Sequence, residues 1–189
     1  MRDAAATRKR ILQAATAEFA EHGIAGARVD RIAAAARTNK AQLYSYFGNK
    51  DALFDAIFAA HVADNVNAVP LTAEDLPRYA VGLYDAYLAD PALVRLSTWA
   101  RLERTPLGEL FGQVPDHDVP VLAALEHAQE TGLLVDDIPT ADLWSMLIAL
   151  AGTWAQAAIV HTAHQGQPAA EHDRRRHALA LTVRRAFCR

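Results

Sequence analysis

Between residues 39 and 46 the chain carries polar side chains of the types that contact DNA base pairs. Glutamine pairs with adenine through two hydrogen bonds, lysine donates to guanine, and serine or tyrosine hydroxyls reach phosphates or base edges. If the segment is one short helix, its outward residues are Asn39, Lys40, Gln42, Ser45 and Tyr46. Polar residues on a short helix are also common on an ordinary solvated surface. The surroundings of the segment decide between these two interpretations.

Positive charge surrounds this segment although the whole chain is acidic. The chain of 189 residues has a net charge of −3, yet residues 1–50 hold nine Lys or Arg against four Asp or Glu. The first 50 residues therefore carry +5 and the remaining 139 carry −8. A basic end on an acidic body is typical of a protein that presents that end to a polyanion. The charge distribution favours a nucleic-acid contact.

Four helices are predicted around the polar segment: 5–22, 29–36, 40–47 and 50–66. In the first helix, Ile11, Ala15 and Phe19 recur at helical spacing and form one apolar stripe, and Gly23 follows as a residue that ends helices. Two short helices joined by a tight turn, with a longer helix supporting them, make a helix-turn-helix. In that motif the second short helix enters the major groove of DNA.

Beyond residue 70 the helical pattern continues, and prolines mark the joints. The predicted helices lie near 73–89, 91–104, 106–112, 118–131, 139–163 and 169–188. Gly132 is expected to end one of them. Because no β-branched alternation occurs, the predicted fold is all-α, with an N-terminal three-helix helix-turn-helix bundle, a larger C-terminal helical domain and about nine to ten helices in all. The predicted domains are 1–60 and 61–189, joined by the helix that begins near residue 50.

The stretch from about Thr7 to Phe58 resembles the DNA-binding domain of the tetracycline repressor (TetR/AcrR) family. The residues that carry the resemblance are Phe19-Ala-Glu-His-Gly23, Val29-Asp-Arg-Ile32-Ala33, Leu43-Tyr44-Ser45-Tyr46-Phe47 and Gly48-Asn49-Lys50-Asp51-Ala52-Leu53. Leu-Tyr-x-x-Phe followed by Lys-acid-x-Leu is a specific pattern, and here it follows Ile-Ala by eleven residues. The resemblance implies a bacterial, cytoplasmic regulator of transcription: a homodimeric repressor that binds a palindromic operator in double-stranded DNA and is released by a small effector.

The resemblance also implies which residues contact DNA. Tyr44 and Tyr46 would reach phosphates or base edges, and Lys50 would hold a phosphate at the start of a helix, where free backbone N–H groups suit an anion. Lys40 and Gln42 are expected to discriminate between bases. The complete set of predicted DNA contacts is Arg28, Arg37, Thr38, Asn39, Lys40, Gln42, Tyr44, Ser45, Tyr46 and Lys50.

Two positions depart from the family's pattern. The turn commonly reads Ala-Gly-Val-Ser in the family, whereas residues 36–39 of this chain read Ala-Arg-Thr-Asn. Arg37 therefore replaces the turn glycine and is predicted to adopt a left-handed backbone conformation at a modest cost. Either Thr38 or Asn39 is expected to cap the next helix. Arg28 stands where the family often has a capping threonine, so it is expected to contact a phosphate but not to cap.

The predicted C-terminal domain contains all three tryptophans, Trp99, Trp144 and Trp154. Core packing explains any single aromatic residue, but the resemblance implies a ligand cavity among these helices, and an apolar small molecule is expected there. The predicted ligand contacts are Tyr84, Trp99, Leu102, Trp144 and Met146. In the family the last two helices form the dimer interface, which here implies a homodimer through the helices near 139–163 and 169–188.

Two other functions compete with a ligand-responsive regulator. A metal-dependent helical enzyme would need ligands such as His161, His164, His172 and His177, but no cysteine joins them and no glutamate lies between the first pair. They are interpreted as surface histidines, and no catalytic residue, metal or cofactor is predicted. A ligand-independent architectural DNA-binding protein would share the N-terminal half and fill the C-terminal cavity with side chains.

The remaining features fit a cytoplasmic protein. No apolar run is long enough to span a membrane, and the first residues lack the apolar core of a secretion signal. The single cysteine, Cys188, cannot form an internal disulfide and fits a reducing compartment. Arg174, Arg175 and Arg176 are expected to be solvated or paired with Glu171 or Asp173 rather than to form a second nucleic-acid patch.

Overall fold

The computed structural model describes residues 2–108, 110, 119–155 and 158–189, and this part of the chain is all-α, as predicted. It contains nine α-helices and one short 3₁₀ helix: α1 (Arg2–Gly26), α2 (Val29–Ala35), α3 (Lys40–Phe47), α4 (Lys50–Ala68), the 3₁₀ helix (Ala73–Asp75), α5 (Leu76–Ala89), α6 (Pro91–Glu103), α7 (Val119–Glu130), α8 (Thr140–Ala151) and α9 (Ala169–Phe187). No strand occurs in these ranges, and Leu134 and Cys188 form an isolated bridge.

The helix bounds differ from the prediction most strongly at two places. In the segment predicted as a helix at 106–112, Pro106–Gly108 and Leu110 are not helical, and the other residues lie outside the described part. The helix predicted at 139–163 ends at Ala151. After Gly152 the chain folds back, and Ala163 donates its backbone N–H to the carbonyl of Trp154 at 2.8 Å. The apolar pattern continues past Gly152, but β-branched residues such as Ile159 and Val160 disfavour a helix.

The chain forms two compact units. The first unit comprises Met1–Ala63 and Ala92–Leu110, and the second comprises Asp64–Pro91 and Phe111–Arg189. The sequence-based division near residue 60 assigned everything after it to one C-terminal domain. In the structure, all of α6 after Pro91 belongs instead to the first unit.

The apolar stripe of α1 forms the core of the first unit. Ile11, Ala15 and Phe19 are completely buried, and the ring of Phe19 meets the ring of Phe54 edge-on at 5.3 Å between centroids. From α3, Leu43 and Phe47 are the buried residues. Because one face of this short helix supplies the anchoring contacts, its other face is left to solvent.

Polar bonds attach α6 to the end of α1. Gly23 interrupts α1 with φ 75° and ψ −180°, which leaves backbone groups on both sides of the break without helical partners. Arg95 Nε and Trp99 Nε1 both donate to the carbonyl of Ala20, at 2.6 and 3.2 Å. On the other side of the break, Ala25 donates its N–H to Glu103 at 2.7 Å. The side chains of α6 therefore replace the hydrogen bonds that the break removes.

In the second unit, α5 packs against α9 and α8, and α8 also packs against α7. The buried apolar side chains include Leu76, Leu83, Leu125, Leu143, Leu147, Leu179, Val183 and Phe187. Arg176 of α9 pairs with Asp85 of α5, with Nε 2.9 Å from one carboxylate oxygen. Gly132 ends α7 as predicted, with φ 76° and hydrogen bonds from Gly132 and Leu133 back to the last turn.

Candidate nucleic-acid interface and ligand pocket

The turn between α2 and α3 has a Schellman ending with an arginine at the glycine position. Arg37 has φ 53°, its N–H donates to the carbonyl of Ala34, and the N–H of Thr38 donates to the carbonyl of Ala33. The prediction that Arg37 is left-handed is confirmed. A non-glycine residue pays about 1 kcal/mol for this conformation. In return the turn carries an exposed guanidinium beside the start of α3.

Of the two residues predicted as the cap of α3, Thr38 and Asn39, Asn39 is the cap. Its side-chain oxygen accepts the N–H of Gln42 at 2.8 Å. The hydroxyl of Thr38 donates to the side-chain oxygen of Gln42 at 2.5 Å. Gln42 is exposed, and this bond holds its amide in one orientation with the NH₂ group left to donate. Guanine O6 and N7, adenine N7 and thymine O4 are acceptors of the kind such a donor reads in the major groove.

The remaining residues predicted on α3 are at least partly accessible. Lys40 and Ser45 are exposed, and Tyr44 and Tyr46 are half-buried. The ammonium of Lys40 lies 3.7 Å from Asp30, but both side chains are more than half exposed, so this pair adds little stability. Lys40 therefore stays available to a polyanion.

Glu18 of α1 supplies the cap that Arg28 does not. Arg28 precedes α2 with an extended backbone and no capping bond from its side chain, as predicted. Glu18 accepts the backbone N–H of Arg28 at 2.8 Å and the Nε of Arg31 at 2.7 Å. This is the role of the glutamate in a capping box, but the carboxylate comes from another helix. The exposed side chain of Arg28 is left for a phosphate.

Glu18→Gln is expected to lower the free energy of unfolding by about 1–2 kcal/mol at neutral pH, because it removes charge-assisted bonds from a largely buried group. Burial alone raises the pKa of Glu18, but the bonds from Arg31 and the Arg28 backbone outweigh burial, so its pKa lies below the ordinary 4.5. The contribution is complete above the unfolded-state pKa and is lost as the pH falls through the lower folded-state pKa. Urea unfolding of both proteins at neutral and acidic pH measures this, and a constant difference would contradict the assignment.

Lys50 makes internal contacts that the sequence did not reveal. Its Nζ donates to the carbonyls of Ala25 and Ala27, both at 3.3 Å, and so joins the start of α4 to the link between α1 and α2. An ammonium has three donors, so one remains for the predicted phosphate. Asn49 caps α4 by accepting the N–H of Ala52 at 2.8 Å.

A further basic residue, Arg8, lies beside the predicted interface and was not among the predicted contacts. Its guanidinium stands 5.3 Å from the ring centroid of Phe47, at the end of α3. Arg10 donates to the carbonyl of Ala36, the residue before the turn. The start of α1 is thereby held next to the turn and α3. Neighbouring basic residues in the first helix are the sequence signal for this, but only the fold shows which helix they adjoin.

The second unit contains a pocket of about 160 Å³. Three aromatic side chains form much of its wall, two from α5 and one from the turn after α8, with the ring of Tyr84 edge-on to Trp154 at 5.9 Å. Polar groups come from the segment after α8. The lining residues are Tyr84, Tyr87, Leu88, Pro91, Ala151, Trp154, Ala155, Ala163, His164 and Gln165.

Of the five predicted ligand residues, only Tyr84 lines this pocket. Trp144 stacks on Tyr79 at 6.2 Å, and Met146 is 40% exposed. Leu102 is 66% exposed, and Trp99 belongs to the first unit, where it bonds to Ala20. The structure therefore does not bring the five together. Tyr87 and Trp154 lie in the pocket instead, and composition alone does not distinguish them from the other aromatic residues.

The histidines of the C-terminal half do not converge. Within the described ranges, no three His, Cys, Asp or Glu side chains are grouped so as to hold a metal ion. His164 lines the pocket, and His177 is exposed. His172 is only 6% exposed, so its interpretation as a surface histidine is wrong. It faces α5, where its Nδ1 lies 2.7 Å from the hydroxyl of Tyr84.

The three successive arginines of α9 also differ from one another. Arg174 pairs with Glu171 and Arg176 with Asp173, as expected. Arg175 is 2% exposed, so it is not solvated, and its pairing with Glu171 is looser, at 3.8 Å. One helix face is buried against α5, and Arg175 lies on that face with Leu179.

In the part of the chain that is described, no helix is long and apolar enough to cross a membrane.

Known proteins resemble this chain over most of its length. Residues 11–57 match the bacterial regulatory proteins of the tetR family, and residues 75–185 match the tetracyclin repressor-like C-terminal domain. The HTH-type transcriptional repressor SCO4008 of Streptomyces coelicolor is 42% identical over 156 residues, which are 82% of this chain and 80% of that protein. The HTH-type transcriptional repressor NicS of Pseudomonas putida is 28% identical over 158 residues, 76% of this chain and 73% of NicS.

Solved structures agree with the sequence comparison. The crystal structure of SCO4942 from Streptomyces coelicolor shares 37% sequence identity and superimposes with a TM-score of 0.78. The superposition covers 96% of this chain and 98% of SCO4942. A TetR family transcription regulator from Marinobacter aquaeolei, 21% identical and covering all of both chains, has a TM-score of 0.72 and shows the same fold.

Proposed function

Since the chain belongs to the tetracycline repressor family of helix-turn-helix transcriptional repressors, which are not enzymes, we propose that it is a cytoplasmic homodimer that binds a palindromic operator through α3 and is released by a small effector. The observation that carries the proposal is the α2–α3 turn. There Thr38 fixes the amide of an exposed Gln42, while Arg37 and Lys40 present positive charge on either side.

The proposed DNA-contacting residues have two different roles. Gln42 and Lys40 read base edges in the major groove, while Arg28 and Lys50 hold phosphates and set the register. Hydrogen bonds position Gln42, Lys50 and the backbone of Arg28. Arg37, Thr38, Asn39, Tyr44, Ser45 and Tyr46 complete the proposed contact surface.

A homodimer suits this arrangement because a palindromic site offers two equivalent half-sites. Two recognition helices about 34–36 Å apart match successive major grooves on one side of DNA. The proposed interface is formed by α8 and α9. Apolar side chains on both helices remain accessible in a single chain, with Met146 40% and Leu181 37% exposed, and burial in a two-fold contact would remove them from water.

The effector is proposed to bind in the pocket of the second unit, where open space favours a ligand-responsive regulator over one whose cavity is filled by side chains. Two helices connect the units along the chain. The division falls within α4, between Ala63 and Asp64, and α6 begins at Pro91, which lines the pocket. Beyond Pro91, α6 holds the end of α1 through Glu103. An effector releases DNA only if it prefers the conformation that does not fit the operator.

Site selection from a pool of random duplexes tests the proposal. The purified protein should enrich an inverted repeat whose half-site centres are about 10 base pairs apart, or a multiple of that spacing. Sedimentation at equilibrium should give a dimer under the same conditions. Enrichment of a single unrepeated site, or of no sequence at all, would contradict the proposal of a dimer on a palindrome.

A further inference from the structure

Two basic side chains of α9 are buried, and their hydrogen bonds go to groups other than carboxylates. Arg175 is 2% and His172 is 6% exposed. The nearest carboxylate oxygen to Arg175, from Glu171, is 3.8 Å away on a side chain that is 44% exposed. In the described part of the chain, Arg175 Nε and His172 Nε2 have no hydrogen-bond partner. A guanidinium withdrawn from water is costly unless an anion and its hydrogen bonds compensate for the lost hydration.

Neutral acceptors occupy the place where an anion would be expected. Arg175 Nη1 donates to the side-chain oxygen of Gln167 at 2.7 Å, and Nη2 lies 3.0 Å from Nε2 of His161. The same oxygen of Gln167 accepts the backbone N–H of His164 at 3.3 Å. Gln167 thus offers one oxygen to a guanidinium and a backbone N–H together, which is an arrangement that a carboxylate oxygen satisfies better.

The buried basic pair adjoins the pocket through two of its lining residues. Tyr84 lines the pocket and bonds to His172 through its hydroxyl at 2.7 Å. His164 also lines the pocket and shares the oxygen of Gln167 with Arg175. The segment that covers Arg175 is therefore the segment that forms the polar side of the pocket.

We propose that the effector is a small aromatic carboxylate, whose ring lies among Tyr84, Tyr87 and Trp154 and whose carboxylate displaces the amide of Gln167 to bind Arg175. This rests on the proposed function, in which the pocket holds the effector. The volume of about 160 Å³ is close to the roughly 150 Å³ of an engineered cavity that binds benzene. Burial raises the pKa of Tyr87 to about 12, so its phenol stays neutral and does not repel an anion.

Calorimetric titration of the full protein without DNA tests this chemistry, with benzoate and its neutral analogue benzamide as probes. We expect benzoate to bind about tenfold or more tightly than benzamide, because charge-assisted bonds to Arg175 form only with the anion. Gln167→Glu supplies an internal carboxylate at the same place. It should abolish the preference for benzoate while leaving benzamide binding intact, which also shows that the pocket is folded.

The outcomes separate this inference from the proposed function. Equal binding of benzoate and benzamide to the wild-type protein, binding of neither, or an unchanged preference in Gln167→Glu would overturn the carboxylate proposal. These calorimetric results are independent of operator binding, which the site-selection experiment measures without any ligand. If site selection enriched no operator, the proposed function would be overturned. A calorimetric preference for benzoate would then still show that the pocket binds carboxylates.

Discussion

Gly23→Ala is expected to lower the free energy of unfolding by about 3 kcal/mol, because it combines backbone strain with a steric clash. Gly23 has φ 75° and ψ −180°, a combination that is essentially restricted to glycine. A β-carbon there would lie 3.0 Å from the ring of Trp99 and 2.7 Å from a carboxylate oxygen of Glu103. Glu103 can move only by weakening its bond to Ala25. Urea unfolding gives the difference directly.

Gly48→Ala is the matched control for this substitution. Gly48 also lies in the first unit and has φ 78°, but a β-carbon there would meet nothing within 4 Å. The control should therefore show backbone strain without a steric clash, so its cost should be smaller than that of Gly23→Ala. If both substitutions cost the same, the contact between α6 and the break in α1 does not constrain Gly23, and the role given to Trp99 and Glu103 is wrong.

Gln42→Ala is expected to weaken operator binding by about 1–3 kcal/mol, roughly tenfold to a hundredfold, and to relax discrimination at one base pair. The reason is that Thr38 holds the amide of Gln42 in a fixed orientation at the surface of α3. Binding to random DNA should change little. Competition among operators with single base-pair changes measures the effect at each position.

Lys50→Met serves as the contrasting variant. Loss of a phosphate contact should weaken all sequences alike and reduce the slope of log affinity against log salt by about one. Lys50 also donates to the carbonyls of Ala25 and Ala27, so the free energy of unfolding of the Lys50→Met protein is measured together with its DNA affinity. If the Gln42 and Lys50 variants behaved identically on operator and random DNA, the division between base reading and phosphate binding would be contradicted.

Local patterns predicted the part of the structure that depends on local contacts. The spacing of Ile11, Ala15 and Phe19 placed the buried face of α1, and the residues of α3 gave its bounds as Lys40–Phe47. The left-handed Arg37 followed from its place at the turn glycine of the family's pattern, and the Schellman turn found there needs that backbone conformation whichever residue occupies it. In each case the physical cause lies within about two turns of helix.

Features that depend on long-range packing were not predictable in this way. Nothing in the sequence around Trp99 indicates that α6 packs with the first unit, since its partner Ala20 is distant along the chain. Arg175 belongs to a charged run and looks like a surface residue, but it lies on the buried face of α9, where His161 and Gln167 accept its hydrogen bonds. The early end of α8 has a similar origin, because the bond from Ala163 to Trp154 forms only when the chain folds back.

In the proposed function, α3 and its basic surroundings recognise a specific DNA sequence. The most direct test is to titrate the purified protein with DNA from just upstream of its own gene and with random DNA of equal length, across a salt series. We predict salt-dependent binding with a preference of roughly a thousandfold or more for the upstream DNA. Equal affinity for the two DNAs at every salt concentration would contradict the claim.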